Sequence, residues 1–84
     1  ERYVASGEIN SKVDDTAAKI KQLAGEFEKY DQDTLDGLTV TFDDGAWLNV
    51  RPSNTEPLLR LNVEASTPER MAQVRDEALA IIRG

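Results

Sequence analysis

The chain has 84 residues, enough for one small domain, and its 39% apolar and 31% charged residues are typical of a globular protein. It has neither histidine nor cysteine, which excludes an ordinary zinc or haem site and removes the side chain most used for proton transfer near neutral pH. The net charge of −6 disfavours nucleic acid as a partner, and no apolar run is long enough to cross a bilayer.

The first part of the chain has the patterns of a strand followed by a helix. Tyr3–Asn10 reads as a first strand, in which Gly7 is a candidate bulge. Apolar residues then recur at helical spacing, which predicts a helix from about Asp15 to Glu28. Either Asp14 or Asp15 is placed to cap the start of this helix, where a carboxylate also meets the positive end of the helix dipole.

The middle of the chain predicts a turn and then a β-hairpin. Asp31–Gly37 consists mostly of turn-forming residues. Leu38–Phe42 alternates and is rich in β-branched and aromatic residues, so it predicts a strand. Asp43-Asp44-Gly45 has the signature of a hairpin turn, and Ala46–Val50 is the returning strand.

The last part of the chain predicts one more strand and a second helix. Leu58–Ala65 reads as the strand, and the helix begins with Thr67 as N-cap and Pro68 at the first helical position. The buried face of this helix is predicted to comprise Met71, Val74, Ala78, Ile81 and Ile82. The order β-α-β-β-β-α predicts a single α+β domain over residues 1–84, with a four-stranded, mainly antiparallel sheet and two helices on one face.

Between the third and fourth predicted strands lies the segment Arg51-Pro52-Ser53-Asn54-Thr55-Glu56-Pro57. Hairpin connections usually need about two to five residues and often contain glycine, whereas this segment is longer and has none. Its guanidinium, hydroxyl, amide and backbone N–H groups are donors, which together suit an anion with several oxygens. The alternative is that its polar side chains merely bond to their own backbone. The residues alone do not decide between these two interpretations.

Several polar or aromatic residues near this segment have structural explanations. Trp47 is expected to pack on its own sheet, and Asp43 and Asp44 are explained by the hairpin turn. Glu56 is expected to shape the loop or to pair with Arg60 rather than to act as an acid or base. The direction of Arg60 depends on the strand register, so it is left out of the candidate site.

The segment 51–57 resembles the phosphate-binding loop in the C-terminal domain of the α-D-phosphohexomutases. The resemblance covers essentially the whole chain, and it includes Glu8-Ile9-Asn10, Leu35-Asp36-Gly37, Asp44-Gly45-Ala46-Trp47 and Leu59-Arg60-Leu61-Asn62-Val63-Glu64-Ala65. It implies a fold like that of the TATA-binding protein. It also implies that the chain is the C-terminal domain of a longer, multidomain polypeptide.

The resemblance implies which domain of the enzyme performs each step. Enzymes of this family move a phosphoryl group between the 1- and 6-hydroxyls of a hexose phosphate. A phosphoserine in the first domain donates it and Mg²⁺ bound by the second assists, so this chain is expected to hold no catalytic residue, metal ligand or cofactor. The C-terminal domain holds the phosphate that is not reacting, and carrying the motif over assigns this contact to Arg51, Ser53, Asn54 and Thr55.

The implied partners are the hexose phosphate substrate, the hexose 1,6-bisphosphate intermediate and the other domains of the same polypeptide, with no nucleic acid and no membrane. The implied location is the cytoplasm, which agrees with the lack of cysteine. Asn54 is similar to the bacterial phosphomannomutase/phosphoglucomutase branch, whereas the mutases of glucosamine phosphate and of many other phosphosugars resemble Arg-x-Ser-Gly-Thr. We expect the domain to be inactive alone. The alternative function is a free-standing α+β module that binds an acidic or phosphorylated partner.

Overall fold

The computed structural model describes residues 3–35 and 37–84 of the chain. Its elements in chain order are β1 (Val4–Ala5), β2 (Ile9–Lys12), α1 (Thr16–Glu26), β3 (Asp31–Asp33), β4 (Leu38–Thr41), β5 (Trp47–Pro52), β6 (Leu58–Ala65) and α2 (Pro68–Arg83). The strands form one sheet in the order β1-β6-β5-β4-β3, with β2 also paired to β6. Every pairing is antiparallel, so the predicted α+β class is confirmed.

The predicted number of four strands is wrong, because the described residues form a six-stranded sheet. One reason is that the predicted first strand, Tyr3–Asn10, is interrupted. Ala5 pairs with Glu64 and Ile9 pairs with Leu61, so the first strand uses one more residue than β6 does over this stretch. One extra residue on one of two paired strands defines a β-bulge, and Gly7 at φ 74° supplies a left-handed conformation within it. The break leaves β1 and β2 as separate strands on the same neighbour.

The second reason is that the predicted turn over Asp31–Gly37 contains a short strand, β3, paired to β4. The side-chain amide of Gln32 donates to the carbonyls of Ala24 and Phe27, both at 2.9 Å, at the end of α1. Strand pairing and these two bonds together hold a polar tripeptide in extended form, which its composition alone does not favour. Asp36, which the predicted turn includes, lies outside the described residues, as do the first two residues of the predicted domain.

Both helices begin where their capping residues predict. The carboxylate of Asp15 accepts from the N–H of Ala18 at 3.0 Å, and the hydroxyl of Thr67 accepts from the N–H of Arg70 at 3.1 Å. The first helix ends at Glu26, two residues before the predicted end. The caps fix where the chain leaves the sheet, and therefore how each helix lies on it.

The core lies between the helices and one face of the sheet. Alternate strand residues enter it, and they are Leu38, Val40, Leu48, Val50, Leu59, Leu61, Val63 and Ala65. The helices contribute Leu23, Val74, Ala78 and Ile82, which are buried, whereas the predicted core residues Met71 and Ile81 are only partly buried at its margin. The other face of the sheet, termed the open face, therefore carries the residues between these. Neither helix, among the described residues, is long and apolar enough to span a membrane.

Candidate functional site

The end of the β5–β6 hairpin is where the structure places the donor-rich segment. β5 extends through Pro52, and Arg51 lies opposite Arg60 in the pairing of β5 with β6. The N–H of Ser53 donates to the carbonyl of Leu58 at 2.9 Å, which closes the hairpin. The irregular part is thus only residues 53–57, shorter than the predicted seven-residue loop, because Arg51 and Pro52 belong to the strand.

Arg51 projects from the open face of the sheet. Its neighbour Val50 is fully buried on the helix side, and successive strand residues point to opposite faces. Arg60 lies directly across from Arg51, so both guanidinium groups leave the same face of neighbouring strands. The Nε of Arg60 is 3.7 Å from the Oε2 of Glu8. Arg60 therefore pairs with Glu8. It does not pair with Glu56, although such a pair is one of the two roles expected for Glu56.

These side chains border one cleft of about 640 Å³ on the surface. It is lined by Leu35, Gly37, Arg51, Pro52, Ser53, Asn54, Thr55 and Arg60. All four residues predicted to contact phosphate therefore line one cleft. Arg60, which the predicted site does not include, lines it too. The signal that finds Arg60 is the register, since Leu59 and Leu61 are both buried and the residue between them must face the other way.

The loop combines internal bonding with available donors. The N–H of Thr55 donates to the hydroxyl of Ser53 at 3.4 Å, a long hydrogen bond within the loop. A hydroxyl that accepts one hydrogen bond still has its own proton to donate. Asn54 and Thr55 are exposed, and Ser53 is half-buried. Internal bonding therefore shapes the loop, and its hydroxyl and amide groups lie at the surface of the same cleft as the Arg51 guanidinium.

A second cleft of about 600 Å³ lies where the start of α1 meets the end of α2. Two of its three cations have structural partners, because Lys19 donates to the carbonyl of Ile81 at 3.1 Å and Arg83 to the hydroxyl of Ser11 at 3.0 Å. Asp14 and Asp15 also line it, which makes its charge mixed. An anion is better matched by the cleft at the β5–β6 hairpin.

The other residues considered from the sequence have structural roles. Asp44 lies in the β4–β5 turn, where it accepts from the N–H of Ala46 at 3.3 Å and from the Nε of Arg70 at 2.8 Å. The hydrogen bond from Arg70 lowers the pKa of Asp44, which stays ionised at neutral pH. Trp47 is half-buried on the open face between Thr41 and Glu64, and it does not line the cleft.

No group of three or more acidic, histidine or cysteine side chains is arranged to hold a metal ion within residues 3–35 and 37–84. The cleft itself is built of hydroxyl, amide and guanidinium groups, and a guanidinium cannot ligate a cation. The chemistry that this cleft offers is therefore hydrogen-bond donation.

The chain is similar to proteins of one known family. A family model described as "Phosphoglucomutase/phosphomannomutase, C-terminal domain" matches residues 8–81. A phosphomannomutase of Methanocaldococcus jannaschii is 38% identical over 81 residues, which cover 96% of this chain and 18% of that protein. A phosphomannomutase of Salmonella typhimurium is 40% identical over 79 residues, covering 92% of this chain and 17% of that protein.

A relative with a different printed name is also similar. A protein of Methanopyrus kandleri named "Probable phosphoglucosamine mutase" is 54% identical over 57 residues, which cover 67% of this chain and 12% of that protein. The chain thus spans less than a fifth of the length of each of these three relatives. The two kinds of name differ in the sugar they refer to.

Proposed function

The chain belongs to the phosphoglucomutase/phosphomannomutase family, whose C-terminal domain it matches over residues 8–81, and from this we propose that it clamps a phosphate group of a hexose phosphate. The clamp comprises Arg51, Ser53, Asn54 and Thr55. The observation that carries the proposal is the convergence of these four side chains on one exposed cleft. Transfer of the phosphoryl group between the 1- and 6-hydroxyls is the task of other domains of a full-length mutase.

The grip follows from the donors of the cleft. Arg51 offers a planar fork that matches two phosphate oxygens and stays charged at any working pH. The hydroxyls of Ser53 and Thr55 and the amide of Asn54 donate to the remaining oxygens. Pro52 precedes these three residues, and its fixed φ reduces the conformational entropy that is lost when the anion is bound.

Arg60 adds a second positive charge to the clamp. A phosphate monoester carries about −1.5 to −2 charges near pH 7, so one guanidinium leaves it only partly neutralised. Arg60 lies across from Arg51 and lines the same cleft. Glu8 already pairs with the Arg60 guanidinium, at 3.7 Å. Because the side chains of Arg60 and Glu8 are 46% and 51% exposed, a bound anion can replace Glu8 as the partner of Arg60.

The clamp contributes positioning and not bond making. Holding the phosphate that does not react fixes the sugar so that its other end meets the phosphoserine of another domain. Closure of the C-terminal domain over the substrate also excludes water from the reacting phosphate. Mg²⁺ belongs to the full-length enzyme and is bound outside this chain, where it supplies charge stabilisation during the transfer.

Asn54 is the basis for a proposed sugar preference. We propose the phosphomannomutase/phosphoglucomutase branch, because a side-chain amide stands at the position that is glycine in the glucosamine pattern. The hexose 1,6-bisphosphate intermediate and the other domains are the proposed partners, and the proposed location is the cytoplasm. A free-standing interaction module is disfavoured, since the matched relatives are more than five times longer than the aligned segment.

The test is a titration of the isotopically labelled chain with mannose 1-phosphate, followed through backbone amide chemical shifts. We expect shifts at residues 51–55 and a titration curve that inorganic phosphate reproduces more weakly. Shifts concentrated in the acidic segment 26–44, other than at the cleft residues Leu35 and Gly37, would contradict the assignment. The same sample should show no mutase turnover, and turnover above background would contradict the view that the chemistry lies in other domains.

A further inference from the structure

Gly37 lines the cleft, but neither the donor chemistry nor the motif over residues 51–57 explains its role. It lines the cleft together with Arg51, and its φ is 75°, a left-handed conformation that side chains disfavour. A Cβ atom at this position would clash with the carbonyl oxygen of Val50 and would lie 2.7 Å from the Cγ of Arg51. The backbone of Gly37 therefore lies directly against the aliphatic stem of Arg51.

The register of the hairpin explains this close approach. Leu38 pairs with Val50, so Gly37 is the next residue outward and comes level with Arg51. Arg60 lies opposite Arg51 on its other side, in β6. Arg51 is thus flanked by Gly37 on one side and by Arg60 on the other, and the close approach of the Gly37 backbone restricts the directions that the Arg51 side chain can take.

We propose that Gly37 is a positioning residue for phosphate binding, because its missing side chain lets the backbone pack on Arg51 and direct the guanidinium into the cleft. The inference rests on the proposed function of Arg51. It adds a residue that never touches the phosphate and acts only through Arg51.

The chain provides matched controls for the conformation of Gly37. Gly7 has φ 74° and Gly45 has φ 91°, so both share its left-handed backbone. A Cβ atom at either of these positions would meet no atom within 4 Å. Alanine at all three positions therefore imposes a left-handed backbone on a side chain, whereas only alanine at position 37 also clashes with the Val50 carbonyl and crowds Arg51.

The experiment measures kcat and KM for hexose phosphate in the full-length mutase that contains this domain. We expect Gly37→Ala to lower kcat/KM by about 10- to 100-fold, since misplacing a binding group by roughly 1 Å costs on the order of 10²-fold. Gly7→Ala and Gly45→Ala should stay within about threefold of the parent enzyme, with losses of thermal stability that match their common backbone strain. An effect of similar size on kcat/KM in all three variants would overturn the proposal.

A double-variant cycle separates positioning from a general structural effect. In an Arg51→Ala background, Gly37→Ala should lower kcat/KM by less than about twofold more, because the side chain it acts on is gone. A further loss as large as in the parent enzyme would overturn the proposal. If Arg51→Ala alone leaves kcat/KM unchanged, it is the phosphate clamp itself that fails, and this outcome is distinct from failure of the role of Gly37 alone.

A measurement without substitutions covers the case in which Gly37→Ala does not fold. In the labelled chain, nuclear Overhauser effects should join the Hα protons of Gly37 to the side-chain protons of Arg51. The ¹⁵N relaxation of the Arg51 Nε should indicate a more restricted group than the Nε of Arg60. Absence of these effects, or equal mobility of the two groups, would overturn the proposal.

Discussion

Removal of the Arg51 guanidinium is the perturbation whose effect the structure defines best. Arg51→Ala deletes a charged fork from the cleft and leaves the strand pairing intact, because the backbone pairs with Arg60 whatever the side chain is. A hydrogen bond to a charged group contributes about 1.5–3 kcal/mol. Since about 1.4 kcal/mol corresponds to tenfold in rate, one such bond corresponds to roughly 10- to 150-fold in kcat/KM.

The structure places the expected value in the lower part of that range. Arg51 is exposed, so water weakens each contact, and Arg60 remains in the cleft as a second cation. We therefore expect kcat/KM of the full-length mutase to fall by about 10- to 50-fold. This fall corresponds to a hydrogen-bond contribution near the lower limit of roughly 1.5 kcal/mol. Arg51→Lys should recover only part of this loss, because a point charge does not reproduce the planar fork.

The control is Arg75→Ala, which removes the same charge from the exposed surface of α2. Arg75 pairs with Asp76 at 2.9 Å on the same helix and is not among the residues of the cleft. Steady-state kinetics on Arg51→Ala, Arg51→Lys and Arg75→Ala then separate a local contact from a change in net charge. Equal kcat/KM values for the two alanine variants would contradict a direct contact between Arg51 and the phosphate.

Three further predictions concern stability and are checked by urea denaturation of the chain. Leu61→Ala, at a fully buried site, should lower the free energy of unfolding by about 2–5 kcal/mol, whereas Leu35→Ala, at a site 94% exposed, should change it by less than about 0.5 kcal/mol. Gln32→Ala should lower it by about 1–2 kcal/mol, because the carbonyl of Ala24 loses the Gln32 donor and that of Phe27 keeps only the N–H of Tyr30. Asp44→Asn should lower it by about 0.2–1 kcal/mol near pH 7. Because the folded-state pKa of Asp44 is lowered, this difference should persist above the ordinary value of 3.8 and vanish as the pH falls through the folded-state pKa.

Local signals in the sequence were sufficient for the helices and the central hairpin. Asp15 and Thr67 each satisfy a free N–H of their own helix, so the helix starts can be predicted without knowledge of the fold. Gly45, at φ 91°, gives the turn between β4 and β5 a similarly local cause. Such features depend on residues only a few positions apart, and the sequence displays them directly.

Features that depend on distant residues could not be predicted in the same way. The strand β3 exists because of its pairing with β4 and the bonds of Gln32 to α1, and the residues of β3 have little strand propensity of their own. The facing of Arg60 depends on the register between β5 and β6. The approach of Gly37 to Arg51 joins two strands, so a motif that names only the loop does not include it.

The most direct test of the phosphate clamp is a crystal structure of the full-length mutase with a hexose phosphate bound. The oxygens of the non-reacting phosphate should lie within about 2.7–3.2 Å of the Arg51 guanidinium and the Ser53 and Thr55 hydroxyls. Arg60 should face the same phosphate, and the other end of the sugar should point away from this domain. A bound substrate whose phosphates contact no residue of 51–55 would contradict the phosphate clamp.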